Sequence, residues 1–347
     1  MSNTIAVQDW LRVIDDEYLS TFVRDGGASV KFAVTSDESK TELYSKMGAR
    51  CRALGYLCIE LDACTTRAHM PQDLFFGFAA QVDWRLLARR VILTLAEERG
   101  YQVAGISPDA TSNVYDAIAG ANGLESRFVL GEIRPKIQAH VFRNPRMAKD
   151  FRVCMSQLCL CEDVRGEYAG QPLLDWLTGT NTRLSNVRDF SIHTGINRTT
   201  ARYFIESALY WIHYARDAGT VILFDNARVT VARNPRDGIR YYTRPMAMEH
   251  YELLREFIDG VDRLAGTLLV VVANPDFLDE GSDRRSRGYG IYQALRTRVM
   301  DDVRDRHLVN PVASLVRLSS TETAPRPLTG QGAWEAPSGL PSIEVPA

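Results

Sequence analysis

AVTSDESKTELY, residues 33–44, joins the β-rich run VKFAV to an amphipathic stretch, ELYSKMGARCRALGY, and the architecture turns on it. The apolar run LCIELDA comes next. Strand, loop, helix and strand within about 35 residues make a βαβ unit, which predicts a parallel pair with a right-handed crossover. The segment also carries the last two residues of the pattern G-x-x-x-x-G-K-[ST], in which glycines let backbone N–H groups curl around a phosphate, Lys supplies charge and Ser or Thr holds magnesium. Lys40 and Thr41 stand where that pattern wants them, at the start of the helix, while Val34 and Ser39 replace its two glycines.

Each lost glycine at a crowded or left-handed position costs on the order of 1 kcal/mol, so the two together weaken phosphate binding roughly tenfold or more. Asp37 and Glu38 add negative charge where an anion would sit. An impaired phosphate loop is therefore expected, with Ser39, Lys40 and Thr41 as its contacts.

Further along, TVILFD (220–225) and GTLLVVVANPDF (266–277) are continuous apolar runs ending in polar residues, as strands buried on both faces do. A phosphate site needs an Asp ending a buried strand beside the loop strand to anchor magnesium, then an acid to orient the attacking water. Asp225 fits the first role. Asn226 stands in the second, and an amide cannot accept a proton. Asn274 is placed at a strand end to sense a terminal phosphate, and Arg298, in YQALRTRV, to reach a phosphate or a neighbouring subunit. Read singly, each is as readily a turn or a surface residue.

The rest of the chain is ordered around these runs. Trp10, Leu11, Ile14, Tyr18 and Phe22 predict a helix over 8–24, stopped by Asp25-Gly26-Gly27. Residues 72–215 read as helical, with one long stretch over 74–101 and another from Asn197 or Thr199 to a stop at Gly219. Residues 319–347, holding five of the fourteen prolines, read as a flexible tail. The fold class expected is α/β: a parallel sheet with helices on both faces. One large domain over 1–318 with a helical insertion around 72–200 accounts for the length.

Composition narrows the function. With a net charge of −2 the whole chain offers no attraction to phosphate backbones, so nucleic-acid binding would need a local patch or be indirect. No stretch reaches the roughly 18 apolar residues of a membrane span and no leader opens the chain, so a soluble cytoplasmic protein without membrane contact is expected. The six cysteines lack paired metal spacing and read as buried thiols.

Several stretches in order, EYLSTFVRDGGASVKFAV, GYLCIELDA, LLDWLTGTNTR, VILFD and YELLREFIDGVDRLAGTLLVVVANPDFLDEGSDRRSRGYGIYQALRTRV, resemble the P-loop ATP-binding protein of bacteriophage exclusion (BREX) systems, the D-type component, over roughly residues 10–318. The resemblance implies an AAA+-like P-loop NTPase fold, ATP and Mg2+ as cofactors and other protein subunits as partners. By position it implies phosphate contact at Lys40, magnesium coordination at Thr41 and Asp225, terminal-phosphate sensing at Asn274 and an arginine contact at Arg298. Arg228 stands where another acid belongs. The expected function is a nucleotide-binding or pseudo-ATPase subunit of a phage-defence-like system. The alternatives are an active ATPase using Asp276 or a partner's acid, and a nucleic-acid-binding module.

Overall fold

Leu268, Val270 and Val272 point to one side of the strand Thr267–Ala273, and Leu269, Val271 and Ala273 to the other; every residue of that strand is buried. A strand so apolar on both faces belongs at the centre of a covered parallel sheet. The computed structural model describes residues 4–110, 112–163, 168–216, 218–281, 283–299 and 310–320, and in it six strands form one all-parallel sheet. These are β1 (Ile5–Ala6), β2 (Ala28–Val34), β3 (Leu57–Asp62), β4 (Thr220–Asp225), β5 (Thr267–Ala273) and β6 (Leu315–Ser319), in the order β1-β6-β2-β5-β4-β3.

One face is covered by α1 (Val7–Ile14) and α2 (Asp37–Leu54), which press Trp10, Leu11 and Ile14 and then Leu43, Met47 and Cys51 onto Ala33, Val221, Val270 and Val316. The other face carries α3 (Pro71–Ala79), α4 (Trp84–Glu97), α5 (Val114–Asn122), α6 (Ser126–Ile137), α7 (Lys149–Leu160), α8 (Gln171–Thr178) and α9 (Ala201–Arg216), all inserted between β3 and β4. It also carries α10 (Arg244–Asp259), the crossover from β4 to β5, and α11 (Gln293–Val299) packs on α10. Inside the insertion, Glu162 is fully buried and accepts from Arg85 and Arg89; Arg89, 5% exposed, donates to it at 2.9 Å.

Several expectations need correcting. β2 and β3 are parallel but not neighbours, because β5 and β4 lie between them. The strand ending in Asp225 is likewise not beside β2: β5 separates them, with Val34 opposite Ala273 and Asp225 opposite Val272. The helix over 8–24 ends at Ile14, continues as a wider π-type turn over Asp15–Leu19, and leaves Phe22 46% exposed. The long helix over 74–101 is two, broken at Gln81–Asp83, where Asp83 caps α4 by accepting from Leu86 N at 2.9 Å. α9 ends at Arg216, short of the stop expected at Gly219; Gly219 has a φ of +95°, and a Cβ there would lie 2.1 Å from the Gly266 carbonyl oxygen, so only glycine fits just before β4.

β1 and β6 pair at the sheet edge, Ile5 opposite Leu318, and Ser319, counted in the tail, belongs to β6. The remainder of the expected tail, residues 321–347, lies outside the described residues. Among the described residues no helix is long and apolar enough to cross a membrane. All six cysteines are free thiols; Cys51, Cys154, Cys159 and Cys161 are buried, while Cys58 and Cys64 are half-buried.

Candidate functional site at the carboxyl end of the sheet

Parallel strands deliver their C-terminal residues to one edge, where open α/β sheets build their ligand crevices. Here that edge gathers Thr35 after β2, Asp62 at the end of β3, Asp225 and Asn226 at the end of β4, and Asn274 after β5. The register sets Asp62 directly opposite Asp225. Lys40 reaches into this group from α2, its Nζ 3.0 Å from Asp225 Oδ2. Burial acts to lower the Lys40 pKa, but the hydrogen bond and charge of Asp225, with the charges of Asp37 and Asp62, raise it overall. Asp225 is held in turn by Ala227 N, which donates to its Oδ1 at 2.9 Å.

The connection between β2 and α2 is shorter than TSDESKT. Only Thr35 and Ser36 lie outside regular structure, and α2 begins at Asp37, so Lys40 sits a full turn into the helix rather than at its first residue. The local chemistry explains this. Ser36 is the N-cap, its hydroxyl accepting from Ser39 N at 3.3 Å, and Ser39 Oγ accepts from Ser36 N at 2.9 Å, a reciprocal capping box. Lys40 N donates to Ser36 O at 2.9 Å. The amides of Ser36, Ser39 and Lys40, which a glycine loop would turn toward phosphate, are thus satisfied within the chain. Ser39 is fully buried. The exposed Thr41 donates its hydroxyl to Asp37 O at 3.0 Å instead of meeting Asp225.

Asn226 is fully buried, its N–H donating to Val272 O at 2.7 Å, while neither its side-chain nitrogen nor its side-chain oxygen has a protein hydrogen-bond partner. Asn274 is half-buried, and its Oδ1 lies 2.8 Å from the hydroxyl of Thr230, from the turn after β4. Because β5 separates β2 from β4, Asn274 leaves the sheet between the Lys40 helix and the Asp225 turn. Arg228 is turned away: it grips Asp237 through two 2.8 Å hydrogen bonds. Asp276 is exposed. Arg298 does not join the group. It pairs with Asp259, at the C-terminal end of α10 just before β5 begins, and so sits at the opposite end of the sheet.

Two side chains missed in the sequence belong to the cluster. LCIELD and TVILFD both end in Asp, a parallel that marks Asp62 as the partner of Asp225. Tyr44 lies one turn beyond Lys40, its hydroxyl buried without a protein partner; burial, then the charges of Asp225, Glu60 and Asp62, push its pKa up.

These residues suit Mg2+ and ATP only in part. Lys40 and Asp225 carry the charges such a ligand requires, but the amide cradle is closed by the capping box and Thr41 is turned to the helix. Among the described residues no group of three His, Cys, Asp or Glu side chains is placed to hold a metal ion. Comparison with protein-family models, with curated proteins and with solved structures finds no match to this chain.

Proposed function

We propose that this chain is a P-loop NTPase-like protein with a degenerate site, a non-hydrolysing nucleotide-binding subunit that works with other proteins, in keeping with its resemblance to the BREX D-type component. The observation that carries the reading is the Lys40–Asp225 pair, formed across β5 at the carboxyl end of a parallel sheet, with Asn274 leaving the strand between them. In this reading Lys40 would neutralise phosphate, Asp225 would anchor magnesium and Asn274 would sense the terminal phosphate, although β5 separates the strand of Asp225 from β2. Two features argue against turnover: Asn226 has no basic oxygen to accept a proton from water, and the helix start closes on its own amides.

Within this reading Lys40 exchanges Asp225 for a phosphate when nucleotide binds, and affinity falls below that of an intact loop because the capping box must open. The test is a titration with a fluorescent ATP analogue and magnesium, wild type against Lys40→Ala, alongside a multiple-turnover hydrolysis assay. Saturable binding that is lost in Lys40→Ala, without turnover, upholds the proposal. No saturable binding up to about 5 mM would leave a scaffold without a ligand. Hydrolysis that depends on Lys40 and Asp225 would replace the reading with that of an active ATPase.

A further inference from the structure

The loops that follow β4 and β5 leave the sheet at the same end as Lys40 and fold against each other. Arg244 donates to the Asp283 carbonyl, Tyr251 donates to Arg287 O at 2.5 Å, and Arg287 Nη2 lies 3.4 Å from Tyr241 Oη. Residues 226–244 and 279–287 together hold eight arginines and four carboxylates, reversing locally the sign of a chain whose net charge is −2.

The four carboxylates are engaged within the loops or by nearby helices. Asp237 is clamped by Arg228, Asp279 accepts from Gly281 N at 2.8 Å, Glu280 pairs with Arg296, and Asp283 accepts the N–H groups of Arg285 and Ser286 at 2.7 Å. Arg233, Arg236, Arg284 and Arg285 are exposed and Arg240 is half-exposed, and none of the five has an ion-pair partner among the described residues. Arg240 also borders an open groove of about 530 Å³, where Ile239 is 46% exposed. The first loop is preset: Arg236 holds a left-handed φ of 58°, steadied by Asn234 Oδ1, which accepts its N–H at 3.1 Å. A non-glycine residue stays in that region only where surrounding contacts impose it.

We infer that this two-loop surface binds the phosphodiester backbone of nucleic acid without regard to sequence. Unpaired guanidinium groups are suited to bidentate phosphate contact. Arg233, Arg236 and Arg240 recur three and four residues apart along one irregular loop, a succession of cations that suits a repeating polyanion better than a single anion. Tyr241, half-buried beside Arg240, adds an aromatic ring to the succession, as single-strand binding surfaces do. The inference stands apart from the nucleotide reading, since none of these arginines belongs to the Lys40–Asp225 group.

The experiment is fluorescence anisotropy of the full chain with labelled single-stranded and duplex DNA, across a salt series. The expected result is binding whose logarithm falls linearly with log salt, with a slope of about −4.5 on duplex if about five phosphates are neutralised. Changing Arg233, Arg236 and Arg240 together to Ala should weaken binding at least tenfold and cut the slope to about −2, whereas the triple Lys variant should keep most of the slope. Changing Arg99 and Arg127, surface arginines of the helical insertion, to Ala should leave binding intact. Absence of binding at low salt, or a triple Ala variant that is folded by circular dichroism and binds like wild type, would overturn the inference. Equal displacement by poly-glutamate would also overturn it, assigning the surface to an acidic protein.

Discussion

The Lys40 ammonium, on α2, meets the Asp225 carboxylate at the end of β4, 3.0 Å away, and so ties the helix that follows β2 to a strand that β5 separates from β2. Both side chains are partly open to solvent, 32% for Lys40 and 16% for Asp225, so screening keeps the pair modest. A double-mutant cycle with Lys40→Met and Asp225→Asn should give a coupling of about 1 kcal/mol by urea unfolding. Because the folded-state pKa of Lys40 is raised, the contribution is fully present below the ordinary lysine value and fades as pH climbs through the raised one. The coupling should therefore be level from pH 6 to about 9 and shrink only in stronger alkali. A coupling that vanished at neutral pH would show that the two groups do not meet in solution.

The capping box sets stability against phosphate access. Ser39→Gly removes the reciprocal hydroxyl and places glycine in the first turn of α2, at a cost of about 1–2 kcal/mol. The same change frees the Ser36 amide and restores the second loop glycine, so affinity for the fluorescent ATP analogue should rise even as the melting temperature falls. Loss of both together would mean that the cap protects the site instead of closing it.

Glu162 offers a sharper stability test. Its carboxylate is fully buried against Arg85 and Arg89, so Glu162→Ala leaves the buried Arg89 guanidinium without a counter-charge, held only by the carbonyls of Pro108, Ala110 and Ser112. Breaking a buried pair from one side costs about 3–5 kcal/mol. A drop below about 1 kcal/mol in urea unfolding would show that water reaches Arg89.

His250 sits fully buried on α10, with Nδ1 3.0 Å from the Ala68 carbonyl, so the neutral ring donates there. Burial lowers its pKa to about 4. A depressed histidine pKa favours the neutral folded state: its contribution is present above the unfolded value near 6.5 and is lost as pH falls through the folded one. Stability should decline by about 3 kcal/mol between pH 6.5 and 4 on this account alone. His250→Gln should flatten that part of the pH profile, and an unchanged slope would assign the acid sensitivity to other groups.

The sheet's central strands were legible because TVILFD and TLLVVVA are apolar on both faces and have no other place to go. The edge was not. Ile5–Ala6 is only two residues long, and LVRLS exposes Arg317 between Val316 and Leu318, a short alternation that a loop carries equally well. Strand order was hidden for another reason: nothing in the local sequence of β2 and β3 tells that β5 and β4, more than 150 residues later, will enter between them. At the site, the residue types of Lys40, Asp225 and Asn274 pointed to one edge, and the fold brought them there. The Ser36–Ser39 cap is masked in the sequence because the same residues fall inside the phosphate-loop pattern, although Ser-x-x-Ser before an amphipathic run is itself a helix-start signal. Arg298 was placed by linear order alone, which does not say to which end of a helix pair a side chain goes.

The pairing of β1 with β6 has a consequence for biogenesis. Ile5 and its sheet neighbour Leu318 are made more than 300 residues apart, and β6 must then slot between β1 and β2. Until that moment the nascent chain carries an open flank on β2, whose backbone groups can pair with another chain. β6 is a closing stave, and a chain cut before residue 319 would leave that flank open and be prone to self-association rather than merely shorter.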